Sequence, residues 1–366
     1  MFLLILRPFN LGKNQMDFST LFSSDKIIAA LIGAIFAYLI MITKDIIFKL
    51  WIDNRDIKKN EIEVFRSYAD PLSYATKDLL WRLSEIFNQE YNSSYLFARY
   101  TTSYSIYKRN STVFRLAALL GWLRAFEKEI TLLKSKNKKQ LKKIKESINK
   151  FREALADGNY VETERLNGLL KLWSLHFKDC EINSLTAAII DHEIKDFVVK
   201  KNKKDANDLS EDEKYELCKM VANTISEKYK VNQVANEIIK ETLSQAIQYC
   251  SLKEAWIYRD WQRAIGDLML KESNDDNCKY EVIGFYEFNK LLKESDSTDN
   301  GWIMKVENIF IDLDITGANK ADMRLKQVNN IKNAIANLMI ALTENDKQRK
   351  ILMSKTIDLA YKEIKT

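Results

Sequence analysis

The chain has 366 residues with 57 Lys or Arg against 51 Asp or Glu, and its net charge of +6 speaks for solubility and weak attraction to anionic surfaces and does not by itself call for nucleic acid. Its four cysteines, Cys180, Cys218, Cys250 and Cys278, form no Cys-x-x-Cys pair, so the spacing supports neither a disulfide framework nor a zinc site and fits reduced thiols. Two prolines and nine glycines leave little to interrupt long helices, and the composition predicts a nearly all-α chain.

Residues 1–26 read as a short N-terminal tail. The opening MFLLILRPFN has too short an apolar stretch, without a small-residue cleavage site, for a secretory signal, and Met16 is an alternative start. Ile27 to Thr43 is an uncharged apolar run of seventeen residues between Lys26 and Lys44. At ~1.5 Å per residue it sits at the lower limit for a ~30 Å bilayer core. Ile46, Ile47, Phe48, Leu50 and Trp51 extend its apolar character, with Lys44, Lys49 and Trp51 suited to the membrane interface. The expected element is therefore a transmembrane helix over 27–43. Lys44, Lys49, Arg55, Lys58 and Lys59 follow it, which predicts an inner-membrane protein with its N-terminus outside and its C-terminal domain cytoplasmic. Ala30, Gly33, Ala34 and Ala37 lie four apart in two pairs and form a candidate helix-association face. No charge inside the run marks a conducting path.

Residues 44–69 are expected to form a juxtamembrane helix or linker, and residues 70–366 one irregular α-helical domain without a fixed-period repeat. Asp70-Pro71 predicts a helix start, with Asp as cap and Pro in the first turn, followed by a face of Leu72, Ala75, Leu79, Leu83, Ile86 and Phe87. Val113 to Leu133 is apolar around most of its circumference and reads as a central buried helix. Amphipathic stretches follow at about 138–156, 160–176, 183–200, 212–229, 232–249, 251–271, 302–313 and 323–343. The polar segments 201–212, 273–279 and 294–301 read as loops.

The densest charge lies between Lys134 and Arg152, where Lys138, Lys139, Lys142, Lys143 and Lys145 form a basic surface beside an apolar stripe of Leu141, Ile144, Ile148, Phe151 and Leu155. The plain reading is a packed helix with a solvated basic face; the sharper one is contact with anionic headgroups. No aromatic residues are interleaved to stack on bases, so nucleic acid is not the expected partner. Lys200 to Lys204 is a smaller basic segment of the same kind.

Four stretches, Tyr68 to Leu83 (YADPLSYATKDLLWRL), Ser111-Thr-Val-Phe with Gly121-Trp122, Trp261 to Met269 (WQRAIGDLM) and Gly284 to Phe288 (GFYEF), resemble a group of uncharacterised bacterial single-span membrane proteins with a helical cytosolic domain. The resemblance implies shared architecture and transfers no reaction. In physical terms Arg82, Arg259, Arg263 and Asp267 are read first as braces at helix junctions and second as a polar pocket for a small anion. Arg263 and Asp267 have the spacing of an intrahelical ion pair, and Gly266 admits a close neighbour.

The sequence contains no phosphate loop, dinucleotide turn, His-Glu-x-x-His pair or nucleophile elbow. Two histidines, His176 and His192, fall short of a metal ligand set. Asp191-His-Glu193 and Asp312-Leu-Asp314 carry paired carboxylates without a mark of acid and base roles. No catalytic, metal or cofactor residue is therefore named. The expected function is a membrane-anchored, non-enzymatic interaction or scaffold protein, with the bilayer and a protein partner or a second copy as partners. A bacterial stress or antiphage response is the setting considered, although no residue points to it. The alternatives are a membrane-perturbing oligomer assembled through Gly33 and Ala37, and an enzyme or ligand sensor with a pocket near Arg259 and Arg263.

Overall fold

The computed structural model describes residues 24–88, 93–130, 138–156, 159–175, 184–273, 278–293, 298–317, 321–344 and 346–365, and these are mostly helical. The chain divides into two compact units, residues 1–61 and 62–366.

Helix α1, Ser24–Phe87, supplies the described part of the first unit. Within it Leu31–Ile52 has a mean hydropathy of 2.0 and none of its most apolar window is buried. This helix is long and apolar enough to cross a membrane. Phe48 stacks on Trp51 at 6.3 Å between centroids, and the Arg55 guanidinium lies 5.8 Å from the same indole.

In the second unit, α1 runs through Pro71 rather than starting there. A proline cannot donate to the carbonyl four residues back, here Ser67, and the Cys278 thiol donates to that oxygen instead at 3.6 Å. Asp70 lies inside the helix rather than at its start, and its carboxylate receives Arg349 Nε at 2.7 Å. A mid-helix proline costs about 3 kcal/mol, whereas each fully buried Leu or Ile contributes about 1.5–3 kcal/mol. Leu72, Leu79, Leu80, Leu83 and Ile86 are all fully buried, so packing outweighs the local preference.

These side chains belong to the larger of two apolar clusters, with α2 (Ser103–Ile130), α3 (Lys138–Ala156), α9 (Arg259–Leu268), α11 (Thr298–Phe310) and α12 (Arg324–Thr343). Helix α2 is central, burying Leu116, Leu119, Leu120, Leu123 and Phe126 around its circumference. It crosses α9 closely because Gly266 has no side chain: a Cβ there would lie 2.9 Å from the Leu120 carbonyl and 2.8 Å from Arg124 Cβ. The stripe of α3, Ile144, Ile148, Phe151 and Leu155, is buried in the same cluster.

The second cluster joins α4 (Asn159–Leu172), α5 (Ser184–Lys200), α6 (Glu211–Tyr229), α7 (Asn236–Glu241) and α8 (Leu243–Cys250) through Leu166, Leu169, Ile190, Ile194, Leu217, Val221, Ile239 and Ile247. Helix α6 begins on a capping box, in which the Ser210 hydroxyl accepts from Glu213 N and the Glu213 carboxylate from Ser210 N. The stretch expected as one helix over 232–249 is broken at Thr242, whose φ of −101° and ψ of 4° are not helical.

Residues 251–271 differ most from their amphipathic reading. Ser251 to Tyr258 is not helical, because its backbone is used by distant segments: Lys253 N donates to Ala321 O at 2.7 Å and Ile257 N to Leu155 O at 2.8 Å. After α9, a small antiparallel pair forms between β1 (Leu270–Glu272) and β2 (Tyr280–Val282), with Leu270 opposite Val282. Gly121 makes room for it, since a Cβ there would stand 2.9 Å from Met269 Cβ and 3.0 Å from Val282 Cγ2. Helix α10 (Phe285–Lys293) follows, and α11 starts at Thr298, inside the segment expected as a loop. The chain closes with α13 (Lys347–Leu352) and α14 (Ser354–Lys365).

Candidate functional site

The residues singled out from the sequence are dispersed. Arg82 is buried on α1 and joins it to α2, its Nη1 donating to Lys108 O and Thr112 Oγ1, both at 3.3 Å, beside the Glu85 carboxylate. Asp267 on α9 receives Arg124 Nε at 2.9 Å and Lys128 Nζ at 2.8 Å, both from α2. Burial alone would raise its pKa, but these two hydrogen bonds outweigh it and hold the carboxyl below the usual aspartate range. Arg263 pairs with Asp260 at 3.2 Å rather than with Asp267, and Arg259 reaches Glu153 on α3 at 3.3 Å; both arginines are exposed. None of the four lines the large cavity described below.

Of the small-residue face, Gly33, Ala34 and Ala37 are exposed, nothing stands within 4 Å of a Cβ at Gly33, and the side chain of Ala30 lies outside the described residues. Lys44, Lys49 and Trp51 are exposed on the same helix. On α3, Lys143 pairs with Glu344 at 2.8 Å and Lys142 with Glu146 at 3.8 Å, while Lys145 is exposed. The side chains of Lys138 and Lys139 lie outside the described residues. His192 is exposed on α5, and His176 lies outside the described residues. Among the described residues no group of three or more His, Cys, Asp or Glu is placed to hold a metal ion.

What the linear motifs do not reveal is a cleft of about 490 Å³ between the two apolar clusters. One wall is built on α4 and α5. Arg165 is 2% exposed, with its guanidinium on the Asp191 carboxylate and its Nε donating to Tyr249 O at 3.1 Å. Lys195, one turn along α5 from Asp191, reaches the other carboxylate oxygen at 2.9 Å and also pairs with Glu254. Burial would lower the Lys195 pKa, but its hydrogen bonds to the two carboxylates hold it above its ordinary value. Glu254 accepts from Trp256 Nε1 at 2.9 Å as well. Burial and then the Asp191 charge push the neighbouring Glu162 carboxyl up.

The opposite wall comes from the end of α11 and the start of α12. Arg324 forms a fork on Asp322, with Nε to Oδ1 at 2.8 Å and Nη2 to Oδ2 at 2.7 Å. Its remaining donors take the carbonyls of Asn308, Ile311 and Asp312 at 2.9, 2.7 and 3.0 Å. These oxygens end α11 and its following turn, so one buried arginine satisfies groups that a helix C-terminus leaves without partners. Lys253 is clasped to this wall through its backbone, donating to Ala321 O at 2.7 Å and accepting from Met323 N at 3.1 Å. Ile194, Val198, Val199, Leu252 and Ile311 give the cleft an aliphatic lining.

The cleft also includes Cys250, whose hydrogen bond with Cys218 and then burial push its thiol well above the usual range. A thiol held in that state is a poor nucleophile. The carboxylates noted in the sequence have structural partners: Asp191 the two cations above, Glu193 the Thr224 hydroxyl at 2.8 Å, Asp312 the Ala98 amide at 2.8 Å, and Asp314 the Thr316 amide at 2.9 Å. Lys204, from the basic segment after α5, Cys250, and Asp312, from a carboxylate pair, are the cleft residues that the sequence analysis names. The others come together from segments far apart in the chain, which no spacing rule reads. Comparison with protein-family models, curated proteins and solved structures finds no match to this chain.

Proposed function

We propose that this protein is a membrane-anchored helical interaction module, held to the inner membrane by α1 and presenting residues 62–366 to the cytoplasm. The observation that carries the reading is the Leu31–Ile52 segment, with a mean hydropathy of 2.0 and its most apolar window unburied. A core helix of a water-soluble protein buries such a surface; here Leu31, Ile35, Phe36, Leu39, Ile40, Ile47 and Phe48 are each more than half exposed. Each such side chain withdrawn from water contributes about 1.5–3 kcal/mol, and a bilayer is the environment that withdraws all of them together. Lys44, Lys49 and Arg55 on the C-terminal side support the orientation. An interaction role is supported by Arg165, Arg324 and Asp267 of the helical body, whose charges are engaged in bracing helices.

The test is fractionation of cells making the full chain, with protease added to spheroplasts before and after permeabilisation. The protein is expected in the alkaline-resistant membrane fraction, with its C-terminal domain protected until the membrane is opened. Release from the membrane by alkaline carbonate would refute the anchor. Digestion of the domain in intact spheroplasts would refute the orientation. Crosslinking and purification from detergent then identify the partner, and a monomer without a partner in the native membrane would refute the interaction role.

A further inference from the structure

We propose that the cleft between the two apolar clusters binds a small phosphate monoester bearing a hydroxylated end, such as a sugar phosphate. This goes beyond the tethering role and rests on which donors around the cleft are already engaged. Asp191 balances Arg165, Glu254 pairs with Lys195, and Asp322 holds Arg324, so these charges form the frame. The other two carboxylates in the lining each hold a backbone amide: Asp205 accepts from Asn207 N at 2.9 Å and Asp312 from Ala98 N at 2.8 Å. Lys204 and Lys253 also line the cleft, both exposed, and neither has a hydrogen-bond or ion-pair partner for its ammonium among the described residues. Two ammonium groups with all their donors unengaged suit a phosphate, which takes lysines as point charges.

The rest of the cleft restricts what the phosphate is attached to. A volume of about 490 Å³ lies within the range of small-molecule sites and excludes a folded macromolecule from its interior. Among the described residues no aromatic side chain lines it, so none of them is placed to stack on a nucleobase. The aliphatic floor of Val198, Leu252 and Ile311 suits a short carbon skeleton. Asp312 keeps acceptor capacity beyond its one amide bond and suits a hydroxyl donor at the other end. Lys204 follows α5, whereas Asp312 follows α11 and Lys253 is clasped to the α12 wall. A ligand spanning them ties the two apolar clusters together, which gives the tethered domain a way to report metabolite binding.

The experiment uses the full chain purified in detergent, titrated calorimetrically with ribose 5-phosphate and, as the control lacking phosphate, with ribose. Ribose 5-phosphate is expected to bind saturably with a dissociation constant below about 1 mM and to raise Tm, while ribose does neither. Lys204→Ala and Lys253→Ala are each expected to weaken binding about tenfold and to leave the ligand-free Tm unchanged, because neither ammonium supports the fold. Asp312→Asn, which keeps a side chain suited to the local φ of +51°, is expected to weaken binding of ribose 5-phosphate more than that of inorganic phosphate. Absence of saturable binding by ribose 5-phosphate, equal binding of ribose, or unchanged affinity in the double lysine variant with unaltered Tm overturns the proposal.

Discussion

At the scale of single residues, the buried charges are organised around arginines that collect several oxygens. Arg324 is the fullest case, with a carboxylate and three carbonyls on one guanidinium, and Asp322 is almost fully buried beneath it. Replacing the arginine strands both the carboxylate and the end of α11, so Arg324→Ala is expected to cost about 3–5 kcal/mol in a denaturation midpoint measured on the full chain in detergent. Asp267 shows the exposed counterpart, since its pair with Arg124 and Lys128 is partly solvated. Its pKa is lowered by folding, so its contribution is present above the ordinary aspartate value of 3.8 and is lost as pH falls through the lower folded value. Asp267→Asn is expected to lose about 0.5–1 kcal/mol at neutral pH, and the gap to wild type should close on titration below about pH 4. A gap that persists at lower pH would mean that charge is not what Asp267 contributes.

At the scale of elements, close helix crossings depend on glycine positions more than on apolar stripes. Gly266 was readable from the sequence as a place for a close neighbour, but the neighbour itself, the Leu120 turn of α2, was not. Gly266→Ala is expected to destabilise by about 1–3 kcal/mol, because one contact is a backbone carbonyl that cannot rotate away, whereas Gly301→Ala, with nothing within 4 Å, is expected to leave the midpoint unchanged or raised. The same crossing explains why Asp267, one residue along, pairs across to α2 instead of back to Arg263. Helical spacing identifies the partners available on one helix; it is blind to a second helix brought near by a missing side chain. The capping box at Ser210 and Glu213 is a local signal of α6 that the loop reading of 201–212 overlooked.

At the scale of the whole chain, the exposed apolar stretch of α1 and the body formed by residues 62–366 pose separate physical problems. The body solves its own by burying apolar side chains in two clusters, and the polar cleft lies where their elements meet. The most apolar window of that stretch is unburied, which is why membrane extraction is the decisive measurement for the proposed role.

The sequence by itself determined the helical character, the long apolar segment near the N-terminus, and most helix positions, because propensity and apolar periodicity act over a few turns. Helix α3 matches its expected range at Lys138–Ala156, and α12 departs from its reading by one residue at the start. Only the tertiary structure decided the rest: α1 running through Pro71, the short hairpin, the extended Ser251–Tyr258 segment and the cleft. Each depends on groups distant in sequence, such as Cys278 on the Ser67 carbonyl and Lys253 against residues 321 and 323. Where burial and long-range hydrogen bonds are worth more than a local start or turn signal, the chain follows them, and their partners cannot be read from spacing along one segment.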